Sequence, residues 1–220
     1  MSYSVAIDGP AGAGKSTIAK QISRKMNYIY VDTGAMYRAM ALFLIQNHVD
    51  ASDSKAISEK CREADISIEY LNGEQIVLLN GENVNGLIRT EGVGKMASAS
   101  SVNKDVRVKL VELQRKLAST SNVIMDGRDI GTCVLPNANV KVYLTANSKV
   151  RAKRRFDELK TKGVACDLDT IEKDIMERDE RDMNREISPL KQADDAILVD
   201  SSDMTVEQVI RTIIGLCEVK

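Results

Sequence analysis

At 220 residues, with 43% hydrophobic and 29% charged side chains, the chain has the make-up of one α/β domain with insertions or of two small domains, and disorder is not indicated. A net charge of −1 gives no global field toward nucleic acid or an anionic membrane, and no apolar run approaches the length of a membrane-spanning helix. One histidine, His48, and four scattered cysteines (Cys61, Cys133, Cys166, Cys217) make no zinc pattern, so a reduced cytoplasmic setting is expected.

The N-terminus does not read as a signal peptide, because strand-like sequence begins at once. Val5-Ala6-Ile7 reads as a buried strand, and Ile18, Ala19, Ile22 and Met26 fall on one face of a following helix. Between them lies Gly9-Pro10-Ala11-Gly12-Ala13-Gly14-Lys15-Ser16-Thr17, which fits the spacing glycine, four residues, glycine-lysine-serine/threonine. Glycines let the backbone wrap closely round an anion. The unpaired amides at the helix start can point at phosphate oxygens. Lys15 can reach the β- and γ-phosphates, and the Ser16 hydroxyl can sit on Mg²⁺. The bland alternative is a glycine-rich surface turn. The strand before and the helix after favour binding of a nucleoside triphosphate.

Tyr28 to Val31 reads as a second strand, ending in Asp32-Thr33-Gly34-Ala35-Met36-Tyr37-Arg38. Polar groups at the carboxyl end of such a strand face the ligand crevice of open α/β sheets, and Asp32 or Thr33 also suits a helix N-cap. The helix is expected to run to Asn47 with Ala41, Leu42 and Ile45 buried, and another short helix spans about Ala51 to Ala64. Then Ile66–Tyr70, Gln75–Leu79 and Glu82–Val84 alternate around Asn72-Gly73 and Asn80-Gly81. Two Asn-Gly turns between alternating runs predict a small antiparallel meander, read as an inserted module rather than an extension of the main sheet. An amphipathic helix follows over about Asp105–Leu117, with Leu110 and Leu113 facing the core and Val106 and Leu117 beside them. Asn122–Met125 is a third buried strand, ending in Asp126-Gly127-Arg128-Asp129, and Val140–Leu144 a fourth.

Arg151, Arg154 and Arg155 fall at helical spacing, Gly163–Asp167 breaks the helix, and Arg178, Arg181, Asp182 and Arg185 line one face of a second helix from about Asp169. A charge run is usually a solvated face. Guanidinium groups on one face also suit a helix that closes over phosphates. Ala196–Asp200 is a fifth strand, and Thr205–Cys217 a closing helix. Five short apolar strands interleaved with helices imply a P-loop parallel sheet with helices on both faces, plus the β-meander and a helical lid.

Taken together, Gly9–Thr17, Asp32–Arg38, Ile88-Arg89-Thr90, Asp126-Gly127-Arg128-Asp129-Ile130-Gly131-Thr132, Arg178–Arg185 and Ser188-Pro189-Leu190 resemble the bacterial cytidylate kinases nearly end to end. The resemblance implies transfer of the ATP γ-phosphoryl to CMP or dCMP in pyrimidine nucleotide metabolism, with Mg²⁺, in a cytoplasmic monomer that engages neither nucleic-acid polymer nor membrane. It implies a core of residues 1–36, 104–150 and 188–220, a monophosphate-binding domain of residues 37–103 and a lid of residues 151–187. It assigns Ser98, Arg107 and Asp129 to the cytosine ring, with Ser100 and Ser101 as alternatives to Ser98. Arg178 and Asp182 go to the sugar hydroxyls. Arg38, Arg128 and Arg185 go to phosphates, with Thr33 and Tyr37 in the CMP-binding turn. Arg154 on the ATP side and Arg181 are further lid candidates, and Asp126 is expected to reach the metal through water. Lys15, Arg128, Arg181 and Arg185 form the expected catalytic set. Independently, a carboxylate matches the amino group of cytosine and a guanidinium its two ring acceptors.

Three other readings stand beside this one. A GTPase switch shares the loop but needs Asn-Lys-x-Asp, which Asn103-Lys104-Asp105-Val106 misses by one position. The others are a non-catalytic nucleotide-binding module and a kinase for another monophosphate or small metabolite.

Overall fold

The computed structural model describes residues 2–218. The chain begins β1 (Ser4–Asp8), α1 (Lys15–Met26), β2 (Ile29–Asp32), α2 (Thr33–Gln46) and α3 (Ser54–Lys60). It continues β3 (Ile66–Leu71), β4 (Glu74–Leu79), β5 (Glu82–Asn83), α4 (Glu91–Ser100) and α5 (Lys104–Thr120). The remainder is β6 (Val123–Gly127), β7 (Val140–Thr145), α6 (Ser148–Thr161), α7 (Leu168–Asn184), β8 (Ile197–Asp200) and α8 (Val206–Glu218).

Five strands form a parallel sheet in the order β2-β6-β1-β7-β8. Its central strands are apolar runs because helices cover both faces of such a sheet. Val5, Ala6, Ile7, Val123, Ile124 and Met125 are fully buried. β1 pairs with β7 in the register Val5↔Val140 and Ile7↔Val142.

The backbone divides into two compact units. One is Ile29–Val123, the other Tyr3–Tyr28 with the chain from Ile124 onward. The first contains the expected meander, β3-β4-β5, as a sheet of its own. β3 and β4 are antiparallel with Ile66 opposite Leu79. Both turns place an Asn-Gly pair at positive φ, 53° and 76° at Asn72-Gly73 and 51° and 82° at Asn80-Gly81. That is the backbone a two-residue hairpin needs to match strand twist.

The face of α2 differs from expectation. Ala41 is buried, but Leu42 is only half-buried and Ile45 is exposed, and Met36, Met40, Phe43 and Leu44 fill the interior instead. The stretch from Ala39 to Ile45 is apolar throughout, so periodicity could not fix which side turns inward. In α5, Val106 and Leu110 are buried as expected, while Leu113 and Leu117 are half-buried and Val111, Gln114 and Ala118 go inward.

In the second unit, α6 and α7 are joined by the expected break and pack through Ala152, Ile171 and Ile175, with Phe156, Leu159 and Cys166 against them. Asn147 and Asp167 cap the two helices by accepting from Val150 and Thr170 amides. Among the described residues no helix is long and apolar enough to cross a membrane.

Candidate active site

The turn between β1 and α1 is built for close backbone approach. A Cβ at Gly9 would stand 1.9 Å from the Leu144 carbonyl oxygen, so only glycine fits there. Gly14, at φ 86°, precedes α1 with no side chain capping the helix. No side chain therefore satisfies the orphan amides of the helix's first turn at its cap. Lys15 folds back over the turn and donates to the Gly9 and Pro10 carbonyls, both at 2.7 Å. Burial pulls its pKa well down, and the positive charges of Arg128 and Arg178 add to that, against Asp126 and Asp8. The Ser16 hydroxyl donates to Asp126 Oδ2 at 2.8 Å.

The same unit gathers several acidic and basic side chains. Arg128 Nε donates to Asp182 Oδ2 at 2.8 Å, and Arg185 Nη2 lies 3.5 Å from Asp129 Oδ1. Arg185 also donates to the Ser188 carbonyl, and Leu190 N donates to the Asp182 carbonyl at 2.8 Å. The Ser188-Pro189-Leu190 segment thus pins the end of α7. Burial pushes the Asp182 carboxyl up, but Arg128, Arg178 and Arg185 together outweigh it and hold it below the ordinary value. Asp129 is buried. A π-helical turn at Ile130–Val134 follows it, and Asp8 accepts from the Ile130 and Gly131 amides at 2.8 and 2.7 Å. Burial, against those two N–H groups, pushes the Asp8 carboxyl up to about 6.

Arg154 and Arg181 stand outside this cluster. Arg154 donates to Ser201, through Oγ at 3.1 Å and the carbonyl at 2.7 Å. Arg181 is exposed and donates to the carbonyl of Glu177 one turn back.

The other unit carries the remaining expected residues. Asp32 caps α2 by accepting from Ala35 N at 2.9 Å, and its second oxygen pairs with Arg89. Thr33 is buried. Arg38 Nη1 lies over Gly34, where an added Cβ would meet it at 3.4 Å. The Arg107 guanidinium is buried, sits 5.8 Å from the Tyr37 ring centroid and donates to the Ser101 carbonyl. The serines separate cleanly. Ser100 Oγ is spent on the Met96 carbonyl and Ser101 Oγ on the Ser98 carbonyl. The Ser98 hydroxyl is half-buried and uncommitted among the described residues.

Asn103, the asparagine of the segment that narrowly misses the guanine-reading motif, is engaged within the fold. Its Oδ1 caps α5 at Asp105 and Val106, and its Nδ2 donates to Ser54 and Ser58. A side chain so occupied is not held out to read a base.

A family model described as cytidylate kinase matches residues 5–219. The chain belongs to the cytidylate kinase family. It is 49% identical to a cytidylate kinase of Caldicellulosiruptor saccharolyticus over 96% of this chain and 94% of that one. To a cytidylate kinase of Lactobacillus gasseri it is 50% identical, over 98% of this chain and 94% of the relative. An uncharacterized protein from Eubacterium ventriosum, solved by crystallography, shares the fold, with a TM-score of 0.54 at 15% identity over the full length of both chains.

Beyond the residues expected for a cytidylate kinase, the structure brings in others. Asp8 braces the turn after Asp129. Arg151 and Asp179 grip the phosphate loop, and Gln75 grips Asp32. For Asp179 there was a signal. It continues the buried stripe of Ile171 and Ile175, and a carboxylate in an apolar stripe implies a buried partner. Asp8, immediately before Gly9, was visible as a charge ending a buried strand. Gln75 had no sequence signal.

Proposed function

We propose that this protein transfers the γ-phosphoryl group of ATP to CMP, giving ADP and CDP, and accepts dCMP as well. The observation that carries the reading is Lys15, buried on a loop shaped for phosphates with the Arg128 and Arg178 charges bearing on it. Positive groups are held together there at an electrostatic cost that polyphosphate would relieve.

The acceptor is a phosphate monoester, already anionic near neutral pH, so no general base is needed. Catalysis reduces to alignment and charge neutralisation. The amides of the Gly9–Thr17 turn hold the donor phosphates, and Lys15 swings from the Gly9 and Pro10 carbonyls onto them. A phosphate oxygen of CMP attacks the γ-phosphorus as the bond to the ADP oxygen breaks. Arg128 and Arg185 spread the developing charge, and Arg181 joins them from a lid of residues 151–187 when it shuts. Water is a competing acceptor, which is why the lid must close. Arg154 serves the ATP side.

Ser16 and Asp126 offer adjacent hard oxygens, a donor set that suits Mg²⁺. Ser16 would hold the ion directly and Asp126 through water, and the ion would neutralise charge on the transferring group.

For the acceptor we assign Thr33, Tyr37 and Arg38 to the phosphate-binding turn and Ser98, Arg107 and Asp129 to the cytosine. Arg178 and Asp182 take the sugar hydroxyls. Uracil reverses the donor–acceptor order of the cytosine edge and would leave buried groups unpaired, which can discriminate by a factor on the order of ten thousand. The domain division follows the same reading, with residues 37–103 binding the monophosphate and residues 1–36, 104–150 and 188–220 as core. A cytoplasmic monomer serving pyrimidine nucleotide metabolism completes it.

A coupled assay of ADP release with CMP tests this. CMP-dependent turnover is expected in the wild type. An enzyme that hydrolyses ATP at the same rate with and without CMP contradicts the reading.

A further inference from the structure

The meander is the one motif that the chemistry above leaves idle, and Gln75 on β4 gives it a task. Gln75 Oε1 accepts from the Asp32 amide at 2.8 Å, and its Nε2 donates to the Asp32 carbonyl at 3.3 Å. Only one orientation of the carboxamide satisfies both bonds. A single side chain thus pairs both backbone groups of one residue, as a neighbouring strand would.

The need for this follows from topology. β2 is the last strand of its sheet, so one side of it has no strand partner. The Tyr70 hydroxyl serves the same edge two residues earlier, donating to the Tyr30 carbonyl at 3.1 Å. Gln75 is itself held in place. Asn85 Nδ2 donates to the Gln75 carbonyl at 2.8 Å, and Asn85 Oδ1 accepts from Val77 N at 3.0 Å. One carboxamide fixes β4 and the next fixes Asp32.

Asp32 is the joint between β2 and α2. Its ψ sets the direction in which α2 leaves the sheet, and Thr33 opens that helix with Tyr37 and Arg38 one turn further on. A misplacement of about 1 Å at a reacting group can cost a hundredfold in rate. We infer that Gln75 is a positioning residue for the acceptor-binding turn, clamping the Asp32 backbone so that Thr33 and Arg38 address the CMP phosphate. The inference rests on the reading of that turn as the CMP site.

The test compares two variants that each remove hydrogen bonding from the same strand edge. Gln75→Leu strips the clamp at the turn. Tyr70→Phe strips the bond two residues away. Gln75→Leu is expected to raise KM for CMP about fivefold with KM for ATP within about twofold. Tyr70→Phe should lower the melting temperature comparably and leave KM for CMP unchanged. Equal KM shifts in both variants, or none in Gln75→Leu, overturn the positioning role. Amide exchange at Asp32, read without substrate, separates the clamp from the CMP reading. Exchange unchanged in Gln75→Leu sinks the clamp. Faster exchange in Gln75→Leu, with a wild type inactive on CMP, sinks the reading of the turn and the proposal with it.

Discussion

Asp179 and Arg151 form a buried ion pair that closes on one residue of the phosphate loop. Asp179 Oδ1 accepts from Ala11 N at 3.0 Å, and Arg151 Nη1 donates to the Ala11 carbonyl at 2.8 Å as well as to Asp179 Oδ2. Arg151 Nε also donates to the Ala146 carbonyl. Helices α6 and α7 are thereby stapled to the loop they flank. Truncating one member of such a pair strands the other charge in a dry site, at a cost of about 3–5 kcal/mol. Asp179→Ala is therefore expected to lose that much in urea unfolding and to bind ATP more weakly. The double variant Asp179→Leu with Arg151→Met should recover most of the stability but not the ATP affinity, because the Ala11 amide and carbonyl stay unheld. Equal stability of Asp179→Ala and wild type would show the pair to be incidental.

Lys15 gives a proton-linkage prediction. Its pKa is depressed by burial and by the Arg128 and Arg178 charges. Triphosphate brings negative charge to the ammonium and must raise that pKa. ATP binding above neutral pH should therefore take up protons, seen as a heat that differs between buffers of different ionisation enthalpy. Lys15→Met should abolish the uptake and cut turnover roughly a hundredfold or more. Identical heats in both buffers for the wild type would contradict the account of Lys15.

Asp8 makes stability depend on pH in the direction opposite to an ordinary paired carboxylate. Its folded pKa is raised to about 6 from 3.8. Between roughly pH 4 and 6 the folded protein keeps a proton that the unfolded chain has released. Its contribution to stability therefore falls as pH rises through that window and levels off above it. Relative to Asp8→Asn, the wild type should lose on the order of 2–3 kcal/mol between the ends of the window. Urea unfolding of both proteins at several pH values checks this. A constant difference between them would refute it.

The serines separate by hydroxyl bonding. Ser98→Ala should raise KM for CMP severalfold with little change in stability. Ser100→Ala should leave KM alone, because its hydroxyl only bonds back to Met96 within the helix. Steady-state kinetics of the two variants decide between them.

Much of the sheet was legible because buried parallel strands are short apolar runs, as Val5-Ala6-Ile7 and Val123-Ile124-Met125 are. The hairpins were legible because Asn-Gly at positive φ has few rivals. The inward face of α2 was not, since a helix apolar all round carries no periodic signal. Among the residues proposed as ligand contacts, those of the Gly9–Thr17 turn stood out through motif spacing, and those assigned to CMP came from the family resemblance. Those that brace them did not. Gln75 acts on Asp32 from 43 residues away, and Asp179 on Ala11 from 168. Such contacts depend on how elements meet in space, which local pattern does not encode. A polar residue far from any motif looks like surface until its partner is seen.

The most direct test of the central claim is a panel of nucleoside monophosphates at fixed ATP and Mg²⁺, with kcat/KM measured for CMP, dCMP, UMP, AMP and GMP. CMP and dCMP should be turned over efficiently and the others by orders of magnitude less. Comparable turnover of all five, or a preference for a purine monophosphate, would contradict cytosine-directed phosphoryl transfer.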